Sequence, residues 1–252
     1  MDIRAGTYLA RTAKLPFRAA MNESPRAMVI VETRPLYFLP HVVAAAVQNN
    51  PGWNLYVFGS PEVHALLDRH CENYGQVNRV LLEVPGGRMG VGQYSRLLTS
   101  RRFWEVVREE HEHLLVFQAD SVVVRPVPDW CLAYDYVGAV CGSDDPADFI
   151  MNGGLSVRRR SAMLRALAAV GEPTEEAEDV AFCRAMRLPA TAAQFALPSR
   201  EQCMAFAVES AGDPDAAVGM HGAGKGYAPP ALVARLLSVP LDPVIASPPV
   251  AG

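Results

Sequence analysis

No apolar run in the 252 residues approaches the roughly 20 that a bilayer-spanning helix needs, and the first residues lack the apolar core of a signal peptide. Both absences point to a cytoplasmic protein without a membrane span. Cysteine is sparse and unpaired in pattern: Cys71, Cys131, Cys141, Cys183 and Cys203 are an odd number, widely spaced and without a C-x-x-C, which speaks against a disulfide framework or a zinc knuckle. An excess of positive charge is also missing. The net charge of -4 gives no footprint for nucleic acid or an anionic membrane. Residues 85–92 hold four glycines but not the Gly-Lys-Ser/Thr of a Walker loop, so a mobile turn is the better reading than a phosphate cradle. No internal repeat is visible.

What remains is an ordinary globular composition, 50% hydrophobic and 20% charged, enough for one sizeable α/β domain. Short β-branched runs alternate with helical patterns. Residues 27–31 read as a buried strand ended by Glu32-Thr33-Arg34-Pro35, residues 41–50 as a helix, 53–58 as a strand, 63–71 as a helix and 77–83 as a third strand. This alternation predicts a mainly parallel, Rossmann-like sheet with flanking helices and right-handed crossovers. Residues 93–110 read as mainly helical with a break near Ser100, and 135–140 as another strand. Residues 151–157 look like a Gly-Gly turn feeding a short strand, 158–170 and 174–187 like helices, and 206–209 like a short strand. A basic N-terminal arm (1–26) and a Pro-rich tail (238–252) bracket a single domain at 27–237.

Residues 114–124 organise the rest. Two apolar runs flank Gln118-Ala119-Asp120-Ser121, so Asp120 sits at the carboxyl end of a predicted strand, where open α/β sheets bind ligands. Thr33 and Arg34, at the end of the first strand, fall beside it. On residue type alone, a turn aspartate satisfying its own backbone amides is the commoner case.

Six landmarks in order are Tyr94-Ser95-Arg96-Leu97-Leu98, Phe117-Gln118-Ala119-Asp120-Ser121, Asp135-Tyr136-Val137-Gly138-Ala139, Asn152-Gly153-Gly154-Leu155-Ser156-Val157-Arg158, Glu178-Asp179-Val180 and Gly219-Met220-His221. Their order and spacing resemble GT-A-fold glycosyltransferases, most closely a family of bacterial and eukaryotic glycosyltransferase-like proteins long described as a domain of unknown function. The similarity runs over about residues 27–227. It implies a GT-A-like fold with a smaller antiparallel element, and transfer of a sugar from a UDP-, TDP- or GDP-sugar to a small-molecule or glycan hydroxyl. A homodimer is left open.

The resemblance also assigns residues. Asp120 matches the strand-end metal ligand for Mn2+ or Mg2+, with His221 as the late histidine that completes the coordination. An imidazole is a known ligand for Mn2+. Gln118 stands where the first carboxylate of Asp-x-Asp is usual, which forfeits a charge. Arg96, Thr33, Arg34, Gln118, Ser121, Asn152, Gly153, Gly154 and Lys225 would meet the nucleotide-sugar, Arg96 through its planar fork. Tyr227 stands near a position where relatives carry Trp. The acidic pair implies Asp179, with Glu178 as alternative, as the base that deprotonates the acceptor in an inverting displacement. Tyr-x-Arg-Leu and the late histidine also occur in retaining families. Two other classes stay open: a nucleotidyltransferase, although Glu-Thr-Arg-Pro replaces its glycine-rich signature, and a non-catalytic nucleotide-sugar-binding module, which the Gln118 departure would favour.

Overall fold

A computed structural model describes Leu15, residues 24–142, 149–171 and 173–223, Lys225, Gly226 and Ala231. Most of the basic arm, most of the polar loop 142–148, Tyr227 and the Pro-rich tail lie outside the described residues.

The strands are β1 (Arg26–Glu32), β2 (Asn54–Gly59), β3 (Asn78–Leu81), β4 (His113–Phe117), β5 (Val122–Val123), β6 (Tyr136–Gly142), β7 (Phe149–Arg159), β8 (Ala207–Val208) and β9 (Gly219–Met220). The helices are α1 (Leu39–Asn49), α2 (Pro61–His70), α3 (Val91–Leu98), α4 (Arg101–Val106), α5 (Arg160–Val170), α6 (Glu178–Arg187) and α7 (Arg200–Phe206). Six strands form the main sheet in the order β3-β2-β1-β4-β7-β6. The pairs β3/β2, β2/β1 and β1/β4 are parallel, while β7 runs antiparallel to both neighbours. The fold is therefore mixed α/β with a mostly parallel central sheet. No helix among the described residues is long and apolar enough to cross a membrane.

Alternation along the central strands explains why helices cover both faces. Met28, Ile30, Leu55, Val57, Leu115 and Phe117 pack with α1 and α2, through Val43, Val47, Val63 and Leu67. The intervening Ala27, Val29, Val31, Tyr56, Phe58, Leu114 and Val116 face Trp104, Met163, Phe182 and Met186 of α4, α5 and α6. Each large side chain buried in this way contributes about 1.5–3 kcal/mol of transfer free energy. Local signals set the boundaries. Ser60 accepts from the Val63 amide at 3.3 Å ahead of Pro61, and the α3/α4 break falls at Thr99–Ser100, where the Ser100 hydroxyl accepts from Phe103 at 3.4 Å.

Several expectations need correction. The helix expected from Thr174 starts at Glu178, because Thr174 takes the Glu176 amide at 3.0 Å in a local turn that competes with helix. Arg158 and Arg159 end β7 rather than open a helix, held by pairing with Leu114 and His113. The segment near Phe206 is the end of helix α7 followed by a two-residue strand. The second sheet, β5-β9-β8, is not purely antiparallel: β5/β9 is antiparallel and β8/β9 parallel.

Residues 151–157 are not a turn before a strand but the middle of the 11-residue β7. Against β6, Gly138 pairs with Ser156 and Val140 with Met151, so Ala139 alone opposes Asn152, Gly153, Gly154 and Leu155. The glycines therefore lie in an irregular bulge of four residues against one, a device that bends a strand and re-aims its side chains.

Candidate functional site

The order β3-β2-β1-β4 has a topological switch between β1 and β4, because the chain leaves β1 toward β2 on one side and returns through β4 on the other. The crevice outside the carboxyl ends of two such strands is where open α/β sheets bind ligands. Glu32-Thr33-Arg34 leaves one wall of this crevice and Gln118-Ala119-Asp120-Ser121 leaves the other, Ile30 being level with Phe117.

The turn after β4 is fastened to the β7 bulge. The Gln118 amide donates to the Gly154 carbonyl at 2.9 Å, and the Ser121 hydroxyl donates to the same carbonyl at 2.6 Å. Ser121 is fully buried, so its hydroxyl shapes the turn. From the other side the Asp120 carbonyl accepts from the Ala223 amide at 2.9 Å, which brings the loop after β9 over the turn.

That loop places His221 against Asp120. The imidazole Nε2 lies 3.1 Å from Gln118 Oε1 and 3.5 Å from Asp120 Oδ1, and Nδ1 lies 3.0 Å from Glu209 Oε1. Burial alone would depress this histidine, but the two carboxylates, Asp120 and Glu209, raise it to about 9. Burial likewise works against the Asp120 charge. The hydrogen bond and charge of His221, joined by an ion pair from Lys225 to Asp120 Oδ2, override it and hold the carboxyl well below the usual range.

The bulge gathers a second group. The Asn152 amide nitrogen reaches Glu209 Oε1 at 3.2 Å and Asp179 Oδ2 at 3.4 Å, while its carbonyl oxygen accepts from the Gly154 amide at 2.6 Å. The Gly153 amide donates to Asp179 Oδ2 at 3.0 Å. A side chain at Gly154 would overlap the His221 imidazole, and one at Gly153 would overlap the Glu178 carboxylate, so bare backbone is a steric requirement at both.

Glu178 and Asp179 are thereby separated in role. Glu178 is buried with both oxygens on the Arg158 guanidinium, at 2.7 and 2.8 Å, and Arg158 lies fully buried 4.7 Å from the Tyr136 ring centroid. Burial pushes the Glu178 carboxyl up; the charge and hydrogen bonds of Arg158 oppose that. Asp179 is only partly buried and keeps its carboxylate toward the bulge.

The remaining expected residues are less convergent. Thr33 is buried and its hydroxyl accepts from the Met89 amide at 2.9 Å, tying the loop before α3 to the end of β1. Arg34 forks onto Glu32 at 2.8 and 2.6 Å and also feels the charge of Asp120. Arg96 is exposed on α3 and ion-paired with Glu175. Among the described residues, no three of His, Cys, Asp and Glu converge as a complete metal cage. The residue that sequence reasoning missed is Glu209. At the end of a two-residue strand, an acid followed by Ser-Ala-Gly carries no local signal of burial.

Residues 88–221, more than half of the chain, match the family described as "Protein of unknown function (DUF5672)", and the chain belongs to that family. The match spans the β4 turn, the β7 bulge, the Glu178-Asp179 pair and His221. No curated protein matches the chain.

Proposed function

We propose that the protein is a glycosyltransferase that moves a sugar from a nucleotide-diphosphate sugar to an acceptor hydroxyl. One observation carries the reading: Asp120, His221, Asn152 and Asp179, drawn from four separate segments, form one hydrogen-bonded and ion-paired series with Glu209 at the switch-point crevice. The strand order and the antiparallel β7 beside β4 are compatible with a GT-A-like sheet.

The side chains present fit a divalent cation as a partial site. A carboxylate oxygen of Asp120 and the imidazole Nε2 of His221 face each other 3.5 Å apart, a donor pair whose chemistry suits Mn2+ or Mg2+. A carboxylate behind the second nitrogen, here Glu209 on Nδ1, is the usual support of a ligating imidazole. Asp120, and His221 once its Nε2 proton is released, would hold Mn2+ or Mg2+ together with the donor diphosphate, and the ion would offset the negative charge that grows on the leaving group.

The chain's own residues do the rest. Lys225, now on Asp120, is within reach to exchange that carboxylate for a donor phosphate. Asp179 accepts the proton of the acceptor hydroxyl as that oxygen attacks the anomeric carbon; the C–O bond to the diphosphate breaks and its electrons leave with the nucleoside diphosphate. Glu178 is buried with both oxygens on the Arg158 guanidinium, whereas half-buried Asp179 accepts from neutral amides, which favours Asp179 as the base of a single inverting displacement. NMR of the product anomer tests this, and net retention would remove Asp179 from that role. A non-catalytic binding module is favoured by one observation, that Gln118 replaces a carboxylate and spends its carbonyl on His221.

Titration of UDP, TDP and GDP with and without Mn2+, read as thermal shift and followed by donor hydrolysis, separates the two. Metal-stimulated binding with turnover is expected, and Asp120→Asn should abolish the metal stimulation while leaving the fold intact. Binding by every donor without turnover would establish the module instead.

A further inference from the structure

Glu209 follows β8, and its side chain is 5% exposed. Its Oε1 accepts from two donors at once, His221 Nδ1 at 3.0 Å and Asn152 Nδ2 at 3.2 Å. Its Oε2 is buried and meets no donor nitrogen or hydroxyl among the described residues, the Cys141 thiol being a further polar group beside the carboxylate. Taking a carboxylate out of water costs several kcal/mol unless charges or donors hold it. The donors named here belong to two site residues on separate elements, the loop after β9 and the bulge of β7. No arginine or lysine is paired with it among the described ion pairs, in contrast with the guanidinium that Glu178 receives. A carboxylate kept in that position is arranged for the groups that it holds.

We propose that Glu209 is the positioning residue of this site. By taking Nδ1 it turns the His221 ring so that Nε2 faces Gln118 and Asp120, and the bare backbone of Gly154 beside the ring leaves no room for a swing in that direction. By taking the Asn152 amide it holds that side chain against Asp179. The diphosphate end and the acceptor end of the crevice are thus referenced to one oxygen atom. The expected effect on ligands rests on the glycosyl-transfer reading; the positioning contacts do not.

Two variants of the full chain test it. Glu209→Gln keeps a carbonyl acceptor, and Glu209→Met fills the volume without one. The readouts are the ring 15N–1H resonances of His221, the side-chain amide resonances of Asn152, and calorimetric affinity for Mn2+ with UDP. In the Met variant both sets of resonances should move and affinity should fall about 10- to 100-fold, the scale for losing the support of a metal ligand. The Gln variant should stay near the wild type in resonances and lose less than about 10-fold. Unmoved resonances in the Met variant, or movement as large in the Gln variant, would overturn the assignment. If the wild type binds no Mn2+–UDP, the function proposed above fails and the resonances alone decide on Glu209. Should the Met variant not fold, the wild type still decides: a buried Nδ1 proton held by Glu209 should exchange slowly enough to give its own downfield resonance, and its absence would sink the proposal.

Discussion

Two neighbouring regions of the β7 bulge treat charge in different ways. In one, Arg158 and Glu178 are both buried, face each other through two hydrogen bonds and are packed around by Trp104, Tyr136 and Phe182. In the other, Asp120, His221, Glu209, Asn152 and Asp179 share donors unevenly: one amide nitrogen serves two carboxylates, and one buried oxygen of Glu209 meets no donor nitrogen or hydroxyl among the described residues. Closed, saturated charge of the first kind fixes a backbone. Unevenly satisfied charge of the second kind is poised to exchange its partners for a ligand's atoms, the trade that a binding or catalytic group must make. Glu178 and Asp179 are adjacent in sequence, so the difference comes from what β7 presents to each, the Arg158 guanidinium to one and the bulge amides to the other.

Breaking the saturated region should have the largest effect. Arg158→Met strands the Glu178 charge and should cost about 3–5 kcal/mol in urea denaturation, while Arg158→Met combined with Glu178→Leu should recover most of that loss. If the single variant were as stable as the wild type, the pair would not be the scaffold described. Asp179→Asn, in the other region, should cut transfer about 100-fold in kcat/KM with donor affinity near wild type and stability changed by less than about 1 kcal/mol. Undiminished turnover would move the base elsewhere.

Gly154→Ala bears on the join between the regions. The new methyl must displace the His221 ring, costing about 1–3 kcal/mol and lowering the metal stimulation of nucleotide binding. An unchanged melting temperature with intact stimulation would show that the ring yields freely. The smallest effect separates scaffold histidines from the site histidine. Burial lowers His41, His64 and His113 below the ordinary 6.5, so the unfolded chain binds protons that the folded one does not. Their contribution is present above about pH 6.5 and is lost as pH falls through their lower folded values. His221, raised to about 9, gains stability over the same interval, so the comparison is between the wild type and His64→Gln, each melted at pH 7.5 and 5.5: the variant should fare better on acidification than the wild type does.

Much of the fold was legible because burial on both faces leaves a plain signature. The runs of β1, β2 and β4 are short and almost wholly apolar, and the residues at the end of β1 and just after β4 are polar where the crevice opens. Asp120 could be placed for that reason. Asn152-Gly153-Gly154 could be singled out but not placed, since adjacent glycines signal a turn, and only the opposing β6 makes them a bulge. Thr174-Glu175-Glu176 imitates a helix start because a threonine that takes the amide two residues on looks the same in sequence as a cap. Arg96 was readable as a basic residue on a helix, yet its partner Glu175, 79 positions away, has no local trace. Glu209 was illegible for a related reason: its surroundings are assembled from residues near 152 and 221, and nothing beside it in sequence announces them.

The place of β9 has a consequence for synthesis. Val122 pairs with Met220 across almost a hundred residues, and His221 and Lys225 follow directly. A nascent chain can pair the six strands of the main sheet and saturate Arg158 with Glu178 while β5 and Asp120 still wait for β9 and the side chains that follow it. The sheet and its buried ion pair can thus be complete before the crevice is, and a chain halted short of residue 221 would be a folded frame with half a site.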